Sequence, residues 1–279
     1  MTKQFSPTDE AYDPLQVAFD HYNLVLMEGC LGRRLEPVIF TYQRKKSTYG
    51  YYSYKRFTSA EGVCRDEIAI NPEYFAVVPL IECLQTLVHE MVHAYQQHFG
   101  KPSRSGYHNH EFARFMQAVG LMPSGTGRPG GPLVGQAMAD YPVPGGAFER
   151  ATRELLTRGF KITWLDRFPP NETLHMPVRH GSEVAPAIAA DPAIAAALLA
   201  PATQGTALEL ATSARNANRS NRHKYSCGGC RLSVWGKPGL RISCTDCSLE
   251  LEEDEPDTSG PVNVAPHAGR TALTGDMPA

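Results

Sequence analysis

The stretch LVHEMVHAY, residues 87–95, sets two histidines four positions apart with a glutamate directly after the first. On an α-helix that spacing puts His89 and His93 on one face, one turn apart, where a single Zn²⁺ can bind both. Glu90 lies about 100° further round. It is too far round to ligate easily, yet close enough to accept a proton from a water that the metal activates. Leu84, Leu87, Val88, Met91 and Val92 surround the three polar residues, so the helix is predicted to be buried. Three ionisable side chains on a buried helix are costly without a metal or another partner.

Working outward, the helical pattern runs from Ile81 to His98 and stops at Gly100 and Pro102. A catalytic zinc needs a third protein ligand. The metzincin pattern would put a histidine six residues after His93, and Phe99 stands there, which excludes that class. His98 falls on the wrong side of the helix. His108, His110 and Glu111 remain, all at the start of a second predicted helix, Asn109 to Gly120; Glu111 would complete a two-histidine, one-glutamate set.

Before this pair of helices, residues 12–31 read as a helix, with Asp13 as its cap and Pro14 at the first helical position. PVIFTY, YGYYSYKRF and DEIAINP, between Glu36 and Asn71, read as three strands, expected to be antiparallel. After the second helix, Pro123 to Pro132 reads as irregular. GAFERATRELLTRGFKITWLDRFPP, residues 146–170, reads as a helix running into a short strand. The expected fold class is therefore α+β: helix, three-stranded antiparallel sheet, metal helix and further helix in residues 1–170.

Beyond residue 170 aromatic residues thin out, and runs such as VAPAIAADPAIAAALLAP (184–201) offer little to bury. Residues 171–221 are read as an Ala/Pro-rich linker. A small module follows over 222–251. CGGC (Cys227, Cys230) and CTDC (Cys244, Cys247) enclose thirteen residues, the spacing of a zinc ribbon in which four thiolates close a structural site. No Asp or Glu occurs from Leu210 to Thr245, against seven basic residues. Among these, Arg222, Lys224, Arg231, Lys237 and Arg241, with Trp235 and Tyr225, suit phosphate contact and base stacking. Residues 252–279 open acidic, with Glu252, Glu253, Asp254 and Glu255, and are predicted to be a disordered tail that could fold back on the basic ribbon. A further basic, tyrosine-rich patch (Arg44, Lys45, Lys46, Lys55 and Arg56 with Tyr49, Tyr51, Tyr52 and Tyr54) is an auxiliary binding surface at best.

The 279-residue chain has a formal net charge of −2, so any nucleic-acid affinity must come from a local surface. Neither a signal peptide nor a run of ~18 apolar residues is present, and a cytoplasmic location is expected. Cys30, Cys64 and Cys83 are scattered and read as small hydrophobes.

HEMVHAYQQHFGKPSRSGYHNHEF, residues 89–112, resembles the SprT-like zinc metallopeptidases, Spartan-like proteins included. In that family the two-histidine motif is followed by a short loop and an HGxEF-like element whose histidine completes a three-histidine site. The resemblance implies His108 as third ligand, fifteen residues after His93, and leaves Glu111 and Phe112 on the family's Glu–Phe. Asn109 stands where glycine is usual. The similarity extends over the preceding helix, strands and DEIAINP, roughly residues 10–165. It implies a zincin-like fold, one catalytic zinc on His89, His93 and His108, Glu90 as catalytic base, and a structural zinc on Cys227, Cys230, Cys244 and Cys247. The implied substrates are proteins on DNA or crosslinked to it, with the ribbon lending DNA affinity. The competing reading is a non-catalytic DNA-binding or transcription-associated protein that uses the ribbon, with the metallopeptidase-like domain as scaffold.

Overall fold

The computed structural model describes residues 6–45, 48–169 and 223–253, together with the single position 195. The predicted linker, apart from position 195, and the tail from residue 254 lie outside the described residues. The chain divides into two compact units, residues 1–213 and 214–279. Among the described residues no helix is long and apolar enough to cross a membrane.

The first unit opens with α1 (Pro7–Tyr22), which continues as a π-helical stretch (Asn23–Glu28) and a last helical turn, α2 (Gly29–Leu31). Here the structure corrects the sequence reading. The cap is Ser6, whose hydroxyl accepts from the Asp9 amide while the Asp9 carboxylate accepts from the Ser6 amide, and Pro7 opens the helix. Pro14 sits inside α1. A proline there cannot donate to the carbonyl four residues back; that carbonyl, Glu10 O, instead accepts from Thr163 Oγ1 at 2.7 Å.

Strands β1 (Ile39–Tyr42), β2 (Gly50–Thr58) and β3 (Cys64–Ile70) form one sheet in the order β1–β3–β2. β2 and β3 are antiparallel, but β1 and β3 are parallel, which corrects the expected all-antiparallel sheet. The chain leaves β1 at the Ile70 end of β3, passes round that end and returns as β2 on the far edge. Asn71 holds this crossing: its side-chain amide donates to Lys45 O and Thr48 O, and its backbone N–H to Tyr49 O. β1 and β2 therefore run in opposite directions with β3 between them. β2 lies tight on the metal helix; a Cβ at Gly50 would come within 2.9 Å of Ala69 O and of Thr86 Cγ2.

The metal helix is α3 (Leu80–Phe99), followed by α4 (His110–Ala118), a hairpin of β4 (Leu121–Ser124) with β5 (Ala139–Pro142), and α5 (Ala147–Thr157). β4 takes in Pro123 and Ser124, which the sequence reading left irregular. Gly120, at φ +86, makes the turn into β4, and a Cβ there would strike the Ala147 amide nitrogen at 2.6 Å. One core fills the space between the helices and the sheet; Phe19, Tyr22, Ile68, Leu87, Met91, Phe112 and Phe148 are fully buried in it. Among the described residues the short strand expected after α5 is absent. That segment is tied instead through side chains, Thr163 and Trp164 to Glu10 and Asp166 to Arg44.

In the second unit β6 (His223–Ser226) pairs with β7 (Ser233–Gly236), and β8 (Ser243–Cys244) with β9 (Leu249–Glu250). β10 (Glu252–Glu253) adds to the edge of β6, so the sheet takes in the first two acidic residues after Leu251. The Glu253 carboxylate pairs with His223 and accepts the Gly239 amide. Arg231 and Ser248 each follow the second cysteine of a pair, and both adopt positive φ, +61° and +54°. The two cysteine turns are thus built alike.

Candidate metal centres

α3 presents His89 and His93 on one face, and the loop after it brings His108 back to them. His108 Nε2 lies 3.1 Å from His89 Nε2 and 3.1 Å from His93 Nε2. Tetrahedral nitrogen ligands at 2.0–2.1 Å from a zinc ion lie about 3.3 Å apart. The three ring nitrogens, all within 4.8 Å of one another, therefore suit one such ion with little adjustment. Phe112, fully buried, supports all three rings: its centroid lies 5.1, 4.3 and 4.8 Å from those of His89, His93 and His108.

The loop is folded back by polar residues on both helices. Gln96 Nε2 donates to Asn109 Oδ1 and to Glu111 Oε2, both at 2.9 Å, and Glu111 Oε2 also accepts the Lys101 amide at 2.6 Å. Glu111 is thereby occupied away from the three rings, and His110 is exposed. Asn109 caps α4 by accepting the Phe112 amide at 3.0 Å. The departure from glycine at this position thus has a structural use. His98 does turn away from the site; its Nε2 meets Asp66 Oδ2 at 2.5 Å.

Partners behind the rings set which nitrogen faces inward. His89 Nδ1 lies 3.0 Å from Asp140 Oδ2, and His108 Nδ1 lies 3.2 Å from Gly135 O. Only N–H at Nδ1 can meet those acceptors, which leaves the Nε2 lone pairs of His89 and His108 facing one another. Burial, with His89 and His108 close by, holds His93 well below the usual histidine range. Burial and His89 bring His108 down to about 4, against a rise from the Gly135 carbonyl and Asp140. Burial also opposes charge on His89, but Asp140 and Glu90 outweigh it and raise its pKa. His93 and His108 are therefore neutral near pH 7, the form a metal ligand needs.

Glu90 is 7% exposed. Burial pushes its carboxyl up to about 7, Asp140 adds to the rise, and His89 and a hydrogen bond from the Tyr52 backbone oppose it. A carboxyl placed so is suited to take up and release a proton at neutral pH. The trio and Glu90 line a cleft of about 1100 Å³ bounded by β2, the 102–108 loop and residues 136–140.

In the second unit the four Sγ atoms of Cys227, Cys230, Cys244 and Cys247 also lie within 4.8 Å of one another. Backbone N–H groups of Cys230 and Gly229 pull the Cys227 thiol down to about 7, favouring the thiolate that binds metal. Of the basic positions, Lys224 stands directly across from Trp235, so the two share a face, and Trp235 is 65% exposed. Arg231 and Lys237 are exposed, whereas Arg241 is paired with Glu250 at 2.9 Å. Arg222 lies outside the described residues. Tyr225 is not available for stacking: it is 1% exposed, its hydroxyl donating to Lys237 O and accepting from Leu240 N. In the strand patch, Arg44 and Arg56 meet Asp166 and Glu67, Tyr49 stacks on Tyr74, and the Tyr52 hydroxyl donates to Asp66. Lys46 lies outside the described residues.

Sequence reading missed Asp140, Gly135 and Gln85, and gave Tyr52 only to the auxiliary patch. None carries a local signal, because each reaches the site only through the fold; Asp140 is 51 positions from His89.

Three histidines and a buried glutamate, carried by one helix and the loop that follows it, define a metallopeptidase-like α+β domain. The SprT-like family model matches residues 15–128. An uncharacterised protein from the mucB 3′ region of Salmonella typhimurium is 48% identical over 63 residues, 22% of this chain and 80% of that protein. The chain belongs to the SprT-like family. No solved structure matches it.

Proposed function

We propose that the chain is a zinc-dependent endopeptidase acting on proteins that are associated with DNA or crosslinked to it. The observation that carries this reading is Glu90, a buried carboxyl beside three converging imidazoles, at the floor of a cleft large enough for a peptide. A purely structural metal site has no use for such a base. His89, His93 and His108 hold the ion. When bound, zinc polarises a carbonyl and lowers the pKa of water. Glu90 takes a proton from the attacking water and returns it to the departing amine. The hydrogen bond from the Tyr52 backbone keeps the carboxylate turned towards β2. β2 is an edge strand among the described residues, so an extended peptide can lie along it by main-chain pairing.

Cys227, Cys230, Cys244 and Cys247 hold a second, structural zinc, since four thiolates leave no open position. DNA affinity is assigned to the ribbon, through Lys224 and Trp235 on one face and the basic residues Arg222, Arg231, Lys237 and Arg241 of the same stretch of sequence. The DNA-linked substrate follows from the family resemblance, and the exposed Trp235 supports it.

The test is cleavage of a DNA-bound protein, with and without DNA. Glu90→Gln is expected to keep its metal and lose about 10²–10⁴-fold in rate. Undiminished cleavage by that variant overturns the mechanism. A metal-loaded wild type that binds DNA but cleaves nothing would leave the first unit as a scaffold and the ribbon as the working part.

A further inference from the structure

The segment from Gly135 to Asp140 lies beyond residue 128, where the family match ends, yet it touches two of the three histidines. On its C-terminal side is Asp140, in β5, paired across the hairpin with Pro123. Its side chain is 9% exposed, and both of its oxygens are engaged. Oδ2 accepts from His89 Nδ1 at 3.0 Å, and Oδ1 accepts from Gln85 Nε2 at 3.1 Å. Gln85 sits one helical turn before His89 on the same face of α3 and is itself 8% exposed. At the N-terminal side, Gly135 forms a two-way backbone bridge with His108: the His108 amide donates to Gly135 O at 2.8 Å and the Gly135 amide to His108 O at 3.1 Å.

We infer that Asp140 is a positioning residue of the histidine site, with its carboxylate fixing the tautomer and angle of the His89 ring and Gln85 holding that carboxylate in place. The inference rests on the reading that His89, His93 and His108 bind zinc. The physical grounds are independent of any motif. A neutral imidazole must choose which nitrogen keeps its proton, and a carboxylate behind Nδ1 makes the choice. The same carboxylate makes Nε2 more basic and stops the ring from turning, so less rotational freedom is lost when the ion binds. Asp140 is not itself a fourth ligand in this arrangement, because both of its oxygens are directed at side chains on α3. The chain thus recruits the second strand of a hairpin, beyond its matched region, to finish a site whose histidines all lie within that region.

The experiment is a Co²⁺ and Zn²⁺ titration of the full chain against a competing chelator, for wild type and Asp140→Asn. Sulfur-to-metal absorption of Co²⁺ reports the ribbon, and metal bound without that absorption reports the histidine site. Loss of an outer partner of a ligating histidine typically costs 10–100-fold in metal affinity. Asp140→Asn is therefore expected to weaken the histidine site by about that factor. Ribbon affinity and the unfolding midpoint of the metal-free protein should stay unchanged, which a merely structural role would not allow. Equal histidine-site affinity in the two proteins overturns the inference and leaves the zinc reading standing. A wild type that takes up metal only at the ribbon overturns both. Should Asp140→Asn fail to fold, Gln85→Leu leaves His89 and Asp140 in place; it is expected to lower histidine-site affinity severalfold, and no change there also overturns the inference.

Discussion

Phe112 shows how a single side chain serves both packing and chemistry. It is fully buried, and its ring lies against His89, His93 and His108 at once. Its position in the first turn of α4 follows from the Asn109 cap, whose side chain accepts the Phe112 amide. Truncating such a residue removes buried apolar surface and leaves a cavity. Phe112→Ala is expected to cost about 3–5 kcal/mol, read as a drop in the denaturant midpoint of the first unit. Weaker metal retention by the histidines should accompany it, because the Phe112 ring backs all three imidazoles. At this scale the sequence was legible where spacing is local, as for His89, Glu90 and His93. It was not legible for Asp140, which only an antiparallel hairpin brings beside His89.

The edge of β2 is fixed by one buried carboxylate. Asp66 accepts from the Tyr52 hydroxyl at 2.7 Å, from the Lys55 amide at 2.8 Å and from His98 on α3. The Lys55 amide is free to reach it because the β2–β3 register shifts between Ser53 and Phe57, where Lys55 adopts φ +47. Tyr52 in turn gives its backbone hydrogen bond to Glu90, so the clasp on Asp66 sets where β2 stands over the Glu90 carboxyl. Burial alone would raise the Asp66 pKa, but the hydrogen bonds from Lys55, Tyr52 and His98 bring it below its ordinary value of 3.8. A depressed native pKa stabilises the fold at pH above the unfolded value, and the contribution fades as pH falls through the native one. Stability of the first unit is therefore expected to fall below about pH 4, and Asp66→Asn to lower stability at neutral pH while flattening that acid limb. Urea midpoints from pH 3 to 7 measure both; an unchanged acid limb in the variant would show that other carboxylates govern it. The strands themselves were readable from alternation, but their order was not, since a crossing round the end of β3 leaves no periodic mark.

The two units differ in what holds them together. The first has a core of some thirty buried apolar residues drawn from helices and sheet. Among the described residues the core of the second consists of Tyr225, Cys227, Cys244 and Leu251, too few to stabilise a fold without a metal. Stripping metal with a strong chelator is accordingly expected to unfold residues 223–253 while the first unit keeps its cooperative transition. Loss of amide protection at Tyr225, set against retained protection at Ile68, would report the difference. The sequence by itself determined what repeats at short range: the pairing of His89 with His93, the Glu90 beside them, the two cysteine pairs and the family to which their setting belongs. Spacing alone left three candidates for the third histidine-site residue, the resemblance implied His108, and neither said anything of the residues behind the rings. Only the tertiary structure brought His108 to the trio, turned Glu111 to Gln96 and Lys101, and set Asp140 behind His89. The physical reason is that helix periodicity fixes neighbours within a turn, whereas contacts across dozens of residues depend on how helices and strands pack.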